Sequence, residues 1–254
     1  MSAAGIDRRE KILRDLRETG HVSAKQLAVA LSVSEDTIRR DLRVLAQANP
    51  IELVYGGASL PRSRDFSFRS KAERFVEEKR IIGQLAAEFV SDGDMILLDS
   101  GTTTFAMTAY LKRKRNLTIL ANSSHIALEL DIEGLTIIMF GGQYRRERMD
   151  TIGTVAVNTL SQFRGYTAFV GADGISMDFG LTASDIESAN LYRVAVENAR
   201  QTLLLVDHSK FDNPSLFKIA EFDSITRVVT DRKPSGEWME FFGGKGIAVT
   251  FPEG

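Results

Sequence analysis

The sequence contains no cysteine, so neither disulfides nor thiolate metal sites hold the fold together. That fits a reducing compartment. Histidine is scarce as well: His21, His125 and His208 lie far apart, which argues against a structural zinc site. No run of about 18 or more apolar residues occurs, so no membrane-spanning helix is expected. The segment Met1–Glu10 lacks the apolar core of a signal peptide, and the expected location is the cytoplasm. Neither internal repeats nor low-complexity tracts are present.

What remains is an ordinary globular composition, 43% hydrophobic and 26% charged over 254 residues, long for one domain and comfortable for two. The net charge of −2 says nothing by itself about nucleic acid. Its distribution says more: residues 1–64 carry 11 Lys+Arg against 8 Asp+Glu, and the remainder 21 against 26. A mildly basic amino-terminal part therefore precedes a mildly acidic one.

Three short helical patterns open the chain. Arg8–Glu18 places Ile12, Leu13 and Leu16 on one face and stops at Gly20. Ser23 starts a second helix with Gln26 three residues later, a capping-box spacing. After a short turn at Ser32-Val33, Ser34 caps a third helix to about Gln47, with Glu35 and Asp36 in its first turn where the dipole favours acids. Ile51–Tyr55 is β-prone, and Gly56-Gly57 is read as its end. Together these describe a winged helix-turn-helix over residues 1–58. A linker at 59–74 carries Pro61 and the charged run Arg62-Ser63-Arg64-Asp65, where two domains are expected to communicate. Residues 75–254 follow as a second domain.

At about 100° per residue, Ile38, Leu42 and Leu45 share the buried side of the third helix. The other side offers Asp36, Arg40, Arg43 and Gln47, with Arg39 on a flank. Charged helical faces are usually just solvated. Here two capped helices around a short turn, with a wing behind them, favour a helix that reads the major groove of double-stranded DNA. Ser34 and Thr37 at its start complete the expected contact set. Asp41 falls near the buried side and is read as the partner of a basic residue.

The second domain opens with an amphipathic helix bearing Ile82, Leu85, Ala86 and Phe89. Strand-like runs then alternate with helical stretches: Met95–Asp99, Leu117–Asn122, Thr136–Phe140, Ala168–Gly171, Leu203–Asp207 and Arg227–Thr230. That alternation predicts an α/β domain with a mainly parallel sheet. The first run ends in Ser100-Gly101-Thr102-Thr103-Thr104, a hydroxyl-rich loop before a helix start. Such a loop is as readily a helix cap as an anion cradle. Polar or glycine residues at several other strand ends favour a ligand there: Asn122, Gly142, Asp173 and Lys210, the last being the lone lysine among them.

Val33-Ser34-Glu35-Asp36-Thr37-Ile38-Arg39-Arg40-Asp41-Leu42, with Tyr55-Gly56-Gly57-Ala58, resembles the DeoR family of bacterial sugar-metabolism regulators. The likeness extends through Leu98–Thr104, Gly141–Arg145 and Asp207–Phe211. It departs in the wing, where Asn49, Leu53 and Tyr55 replace the family's usual glycine, arginine and histidine; losing that arginine removes a DNA-backbone contact. The resemblance implies a ribose-5-phosphate isomerase-like second domain, with phosphate held by Ser100, Gly101, Thr102, Thr103 and Thr104 together with Lys210. Sugar hydroxyls would then meet Asp99, Asn122 and Asp173.

The resemblance also implies a repressor of operator DNA, relieved by a phosphorylated sugar; two recognition helices matched to two half-sites make a homo-dimer or homo-tetramer the expected assembly. No cofactor, metal or membrane is expected. The competing class is a phosphosugar isomerase with an appended DNA-binding module. Isomerases of this fold carry their base in a glycine-run loop ending in Glu-Lys, whereas Gly180–Ser188 here has one glycine and Ser188 follows Glu187. Glu187 is read more simply as an acid at a helix start. Asp207-His208 is read as a structural histidine, on the ground that adjacent strand residues face opposite ways. A purely architectural DNA-binding protein would leave the second domain unexplained.

Overall fold

Leucines and isoleucines spaced three and four apart dictate how the chain begins. In the computed structural model, which describes residues 3–19, 21–48, 51–54, 56–59 and 67–253, helix α1 (Ala3–Thr19) buries Ile12 and Leu16 completely. A short strand β1 (His21–Ser23) leads to α2 (Ala24–Ala30), and Ser23 caps that helix through the Gln26 N–H. Ser32, with φ of +52°, makes the turn. Helix α3 (Glu35–Ala48) then lays Ile38, Leu42 and Leu45 against α1 and α2 residues in one small core. Asp41 is buried and takes the Arg8 guanidinium at 2.6 Å and that of Arg9 at 3.9 Å. The expected basic partner is therefore found, on α1.

The wing differs from the reading of the sequence. Strands β2 (Glu52–Val54) and β3 (Gly57–Ser59) form its two arms. Gly56-Gly57 is thus the turn and the start of the return strand, not the end of the wing. β3 is central in a three-stranded antiparallel sheet, pairing with β2 on one side and with the unanticipated β1 on the other. A side chain at Gly57 would put its Cβ 1.9 Å from the Val22 carbonyl oxygen, so only glycine permits this pairing. Gly20, Asn49, Tyr55, Pro61 and the run Arg62–Asp65 lie outside the described residues.

The chain divides into two units, Met1–Phe75 and Val76–Gly254. A short helix α4 (Phe68–Ala72) belongs to the first. The second unit proceeds as α5 (Val76–Ala87), β4 (Met95–Leu98), α6 (Thr102–Phe105), α7 (Thr108–Leu111), β5 (Leu117–Ala121), α8 (Ser124–Glu129) and β6 (Leu135–Met139). It continues with β7 (Gln143–Arg145), β8 (Asp150–Ile152), α9 (Thr154–Leu160), β9 (Thr167–Gly171), β10 (Gly174–Ser176), β11 (Gly180–Ala183) and α10 (Ile186–Asn198). The last elements are β12 (Gln201–Leu205), β13 (Phe217–Ala220), β14 (Arg227–Val229), α11 (Gly236–Gly244) and β15 (Ala248–Thr250).

Seven of these strands build a wholly parallel sheet in the order β15-β14-β12-β9-β4-β5-β6. Alternate residues of each strand enter opposite cores, as the two-residue period of a strand requires. Leu97, Leu120, Val170 and Leu204 join α9, α10 and α11; Ile96, Ile119, Phe169 and Leu203 join α5, α6, α7 and α8. All six anticipated strands are present; β9 ends at Gly171 as expected, and the other five end one or two residues earlier than expected. The seventh, β15, the hairpin β7–β8 and the small antiparallel sheet β10-β11-β13 were not anticipated. Each is made of strands three or four residues long, too short for a periodicity to show.

The chain moves from β4 to β5 and β6 on one side, then returns to lay β9 on the other side of β4. This β4/β9 junction is the topological switch point of the sheet, where ligands of open α/β sheets bind. Helix α5 reaches the same region through Gly83. An added Cβ there would sit 2.6 to 2.9 Å from backbone atoms of Ala106 and Met107, directly behind α6. Gly83→Ala is expected to lower stability by about 1–3 kcal/mol although alanine is the better helix former. Urea denaturation checks this, and an unchanged midpoint would contradict the packing described.

Candidate functional site

On α3 the amphipathic pattern leaves one face free. Asp36, Arg39, Arg40, Arg43 and Gln47 are exposed. Ser34 caps the helix, accepting from the Thr37 N–H at 3.2 Å, and its hydroxyl meets the Thr37 hydroxyl at 2.9 Å. These two residues therefore hold the start of the helix in shape. Arg39 reaches Glu35 at 3.5 Å across an exposed turn, a weak pair that phosphate can displace. Arg39 and Arg43 also line a cleft with Leu53, Gly56 and Gly57 of the wing, floored by Leu42. A Leu53 side chain about half exposed stands there.

At the β4/β9 junction the loop is shaped by Asp99. This residue is 2% exposed, and its two oxygens accept from the N–H groups of Gly101 (2.9 Å) and Gly171 (2.6 Å). Burial pushes its carboxyl above the ordinary carboxylate value. Asp99 thus ties β4 to β9 and bends the loop. Gly101 caps α6 without a side chain, and Thr102, Thr103 and Thr104 are buried. Their three N–H groups have no acceptor among the described residues. The first N–H groups of a helix have no acceptor within it, and they are open to a ligand.

Ser100 is held from behind. Its N–H donates to the Tyr192 hydroxyl oxygen at 3.0 Å, and its own hydroxyl donates to Asp150 at 2.8 Å and lies 2.6 Å from Tyr192. Asp150 is fully buried and gripped by Arg145 in a two-pronged pair, Nε at 2.8 Å and Nη2 at 2.6 Å. Arg145 also meets Asp185 at 2.9 Å, and Arg148 meets the other oxygen of Asp185 at 2.9 Å. Burial alone would lower the Arg145 pKa; the Asp150 hydrogen bond and charge more than reverse that and hold it above the ordinary value. Burial, with the Asp99 and Asp150 charges, raises Tyr192.

The remaining expected residues take different places. Asn122 is buried and paired with Thr151 of β8, its amide donating to the Thr151 carbonyl at 2.9 Å. Asp173 accepts from the Ser184 N–H and hydroxyl at 2.8 and 2.6 Å. Gly142, with φ of +143°, passes so close to β8 that a Cβ would fall 2.5 Å from the Ile152 carbonyl oxygen. Lys210 is half-buried in a helical turn, His208–Lys210, where its N–H donates to the Asp207 carbonyl at 3.1 Å, and its ammonium makes no ion pair or hydrogen bond among the described residues. It follows β12, two strands from β4, which is about 10 Å at the usual strand spacing.

Two readings of the sequence change in detail. Asp207-His208 is not strand: Asp207 caps the 3-10 turn, and His208 binds Asp231 through Nδ1 at 2.8 Å and through its N–H at 2.7 Å. The histidine is structural, for a reason other than strand alternation. Glu78 brings a third ligand-type atom within 4.8 Å of that pair, the one such grouping among the described residues. Glu187 is exposed in the first turn of α10, whose cap is Asp185. Arg148, Asp150, Asp185 and Tyr192 were not singled out beforehand. Only Arg145 had a signal, as the end of the Gly141–Arg145 string.

Among the described residues no helix is long and apolar enough to cross a membrane. Residues 8–64 match the DeoR-like helix-turn-helix domain, and residues 74–232 match the DeoR C terminal sensor domain. The chain is 33% identical over 245 residues to the transcriptional repressor GlcR of Bacillus subtilis, covering 95% of this chain and 94% of that one. It is 34% identical over 235 residues to the glycerol-3-phosphate regulon repressor of Escherichia coli, covering 92% and 93%. Among solved structures, ribose 5 phosphate isomerase A from Neisseria gonorrhoeae aligns with a TM-score of 0.39 and 17% identity over 52% of each chain, a likeness too distant to bear on chemistry. Relatives alike over nearly their whole length are thus named repressors. The chain belongs to the DeoR family: it is a DNA-binding transcriptional regulator and not an enzyme.

Proposed function

We propose that this regulator represses a carbohydrate-utilisation operon in the cytoplasm and releases its operator when a phosphorylated sugar binds at the loop Ser100–Thr104. The observation that carries the reading is the set of N–H groups of Thr102, Thr103 and Thr104, three buried residues at the switch point of the sheet, which have no acceptor among the described residues. Three neighbouring donors at a helix start are matched by an anion with several oxygens, which phosphate supplies. Helix α6 spans only four residues, so its dipole adds little and the donors themselves carry the site. Lys210, whose ammonium has no partner among the described residues, supplies the charge.

In this reading Gly101 allows the close approach, while Asp99 and Ser100 shape the loop. Asn122, Gly142 and Asp173 form walls against which the sugar packs. Operator DNA is read by α3, with Asp36, Arg39, Arg40, Arg43 and Gln47 outward and Ser34 and Thr37 fixing its first turn. The DNA-binding domain is taken as residues 1–58, the linker as 59–74 and the effector domain as 75–254. Two recognition helices matched to two half-sites require an even-numbered assembly, a dimer or a tetramer.

A thermal-shift screen of phosphorylated sugars tests the effector class. A ligand at about 100 times its dissociation constant adds about 2.7 kcal/mol to stability. At least one sugar phosphate is expected to raise the melting temperature, and its dephosphorylated form to do far less. Equal shifts from both forms would contradict a phosphate-binding loop.

A further inference from the structure

The cluster behind the loop has a fixed proton arrangement. Ser100 has one N–H, given to the Tyr192 oxygen, and one hydroxyl proton, given to Asp150. The 2.6 Å contact between the Ser100 and Tyr192 hydroxyls then has Tyr192 as its donor. While Asp150 is ionised, Ser100 therefore keeps no proton for a ligand. Its side chain anchors the loop.

That anchor is a buried carboxylate placed one residue from an anion site. Asp150 is 0% exposed, and a naked charge there would oppose an incoming phosphate through a medium that screens poorly. Asp99, the other carboxylate of the loop, accepts from neutral donors, chiefly the N–H groups of Gly101 and Gly171, and meets no cation among the described residues. Asp150 alone meets a full opposite charge, through the two parallel hydrogen bonds that make arginine–carboxylate pairs strong and directional. Arg145 is in turn braced by Asp185 and by the Ser188 hydroxyl, both at 2.9 Å. Backbone bonds from Ser124 to Met149 and from Thr151 to Asn122, each 2.8 Å, fasten the hairpin that carries the pair to the end of β5.

We propose that Arg145 and Asp150 are positioning residues of the effector site: the pair fixes Ser100 and keeps the wall of the loop electrically neutral, so that an anion can enter. The inference rests on the loop being the phosphate site. It assigns a function to two residues that need not touch the ligand.

The electrostatic part separates this role from a merely structural one. Asp150→Asn keeps an oxygen for the Ser100 hydroxyl, removes the negative charge and leaves Arg145 in place. It is expected to bind inorganic phosphate about 3-fold to 10-fold more tightly than wild type, by the magnitude ordinary for one nearby charge. Arg145→Met, which strands the Asp150 charge, is expected to lose about 10-fold or more. Adding Asp150→Asn to Arg145→Met is expected to restore most of that loss.

The measurement is calorimetric titration of the full-length chain with inorganic phosphate at constant ionic strength. The response counted is the part abolished by Thr103→Val with Lys210→Ala. A wild type with no such response overturns the loop reading and this inference together. A wild type that responds, with Asp150→Asn unchanged or weaker, overturns this inference alone. Should Arg145→Met fail to fold, the sign of the Asp150→Asn effect still decides.

Discussion

Replacing Arg40 by alanine is expected to weaken operator binding by about 10-fold or more, and the double variant Arg40→Ala with Arg43→Ala by about 100-fold. A side chain that contacts a base edge contributes about 1–3 kcal/mol, and one that contacts a phosphate lowers the salt dependence by about one counterion. Both arginines are exposed on the side of α3 opposite Ile38, Leu42 and Leu45. Nothing in the small core of the first unit depends on them, so melting temperature is expected to hold within about a degree or two. Operator binding at several salt concentrations measures both quantities. Wild-type affinity and salt slope in the double variant would remove α3 from the DNA interface.

The second large effect is a loss of response without a loss of binding. Thr103→Val combined with Lys210→Ala is expected to leave operator affinity intact and make it insensitive to the effector. Release demands that the ligand prefer the arrangement of the chain that binds DNA poorly; equal affinity for both arrangements shifts nothing. A preference of about 100-fold supplies roughly 2.7 kcal/mol per site, ample to reset occupancy. Removing the lysine charge and the Thr103 hydroxyl takes away both the charge and a donor on which that preference rests. The outcome to look for is a flat effector titration on a normal operator complex. A wild-type response would mean that the phosphate is held elsewhere.

Hydrophobic spacing carried most of the fold into view. Ile38, Leu42 and Leu45 identify the buried face of α3, and Asp41 beside them announces its pairing with Arg8. Apolar runs gave six of the seven parallel strands. Three-residue strands such as β1, β7 and β15 have no periodicity to read and exist because neighbours complete them. The loop Ser100–Thr104 was visible because its composition is local. Its supports were not: Asp150 and Tyr192 lie 50 and 92 residues from Ser100. Neither stands in a pattern that spacing can expose. Asn122 and Asp173 stand at strand ends as expected, yet a sequence gives no warning that Thr151 takes the Asn122 amide N–H or that Ser184 binds one Asp173 oxygen.

In the function proposed above, one protein reads DNA with α3 and a phosphorylated sugar with the Ser100–Thr104 loop, and the two events oppose each other. Fluorescence anisotropy of labelled operator DNA, titrated with the wild-type chain in the presence of the sugar phosphate found by thermal shift and then of the same sugar without its phosphate, tests it directly. The phosphorylated sugar is expected to weaken operator binding by about 100-fold and the dephosphorylated sugar to leave it unchanged. Equal effects of the two sugars, or tight operator binding at saturating sugar phosphate, would contradict it.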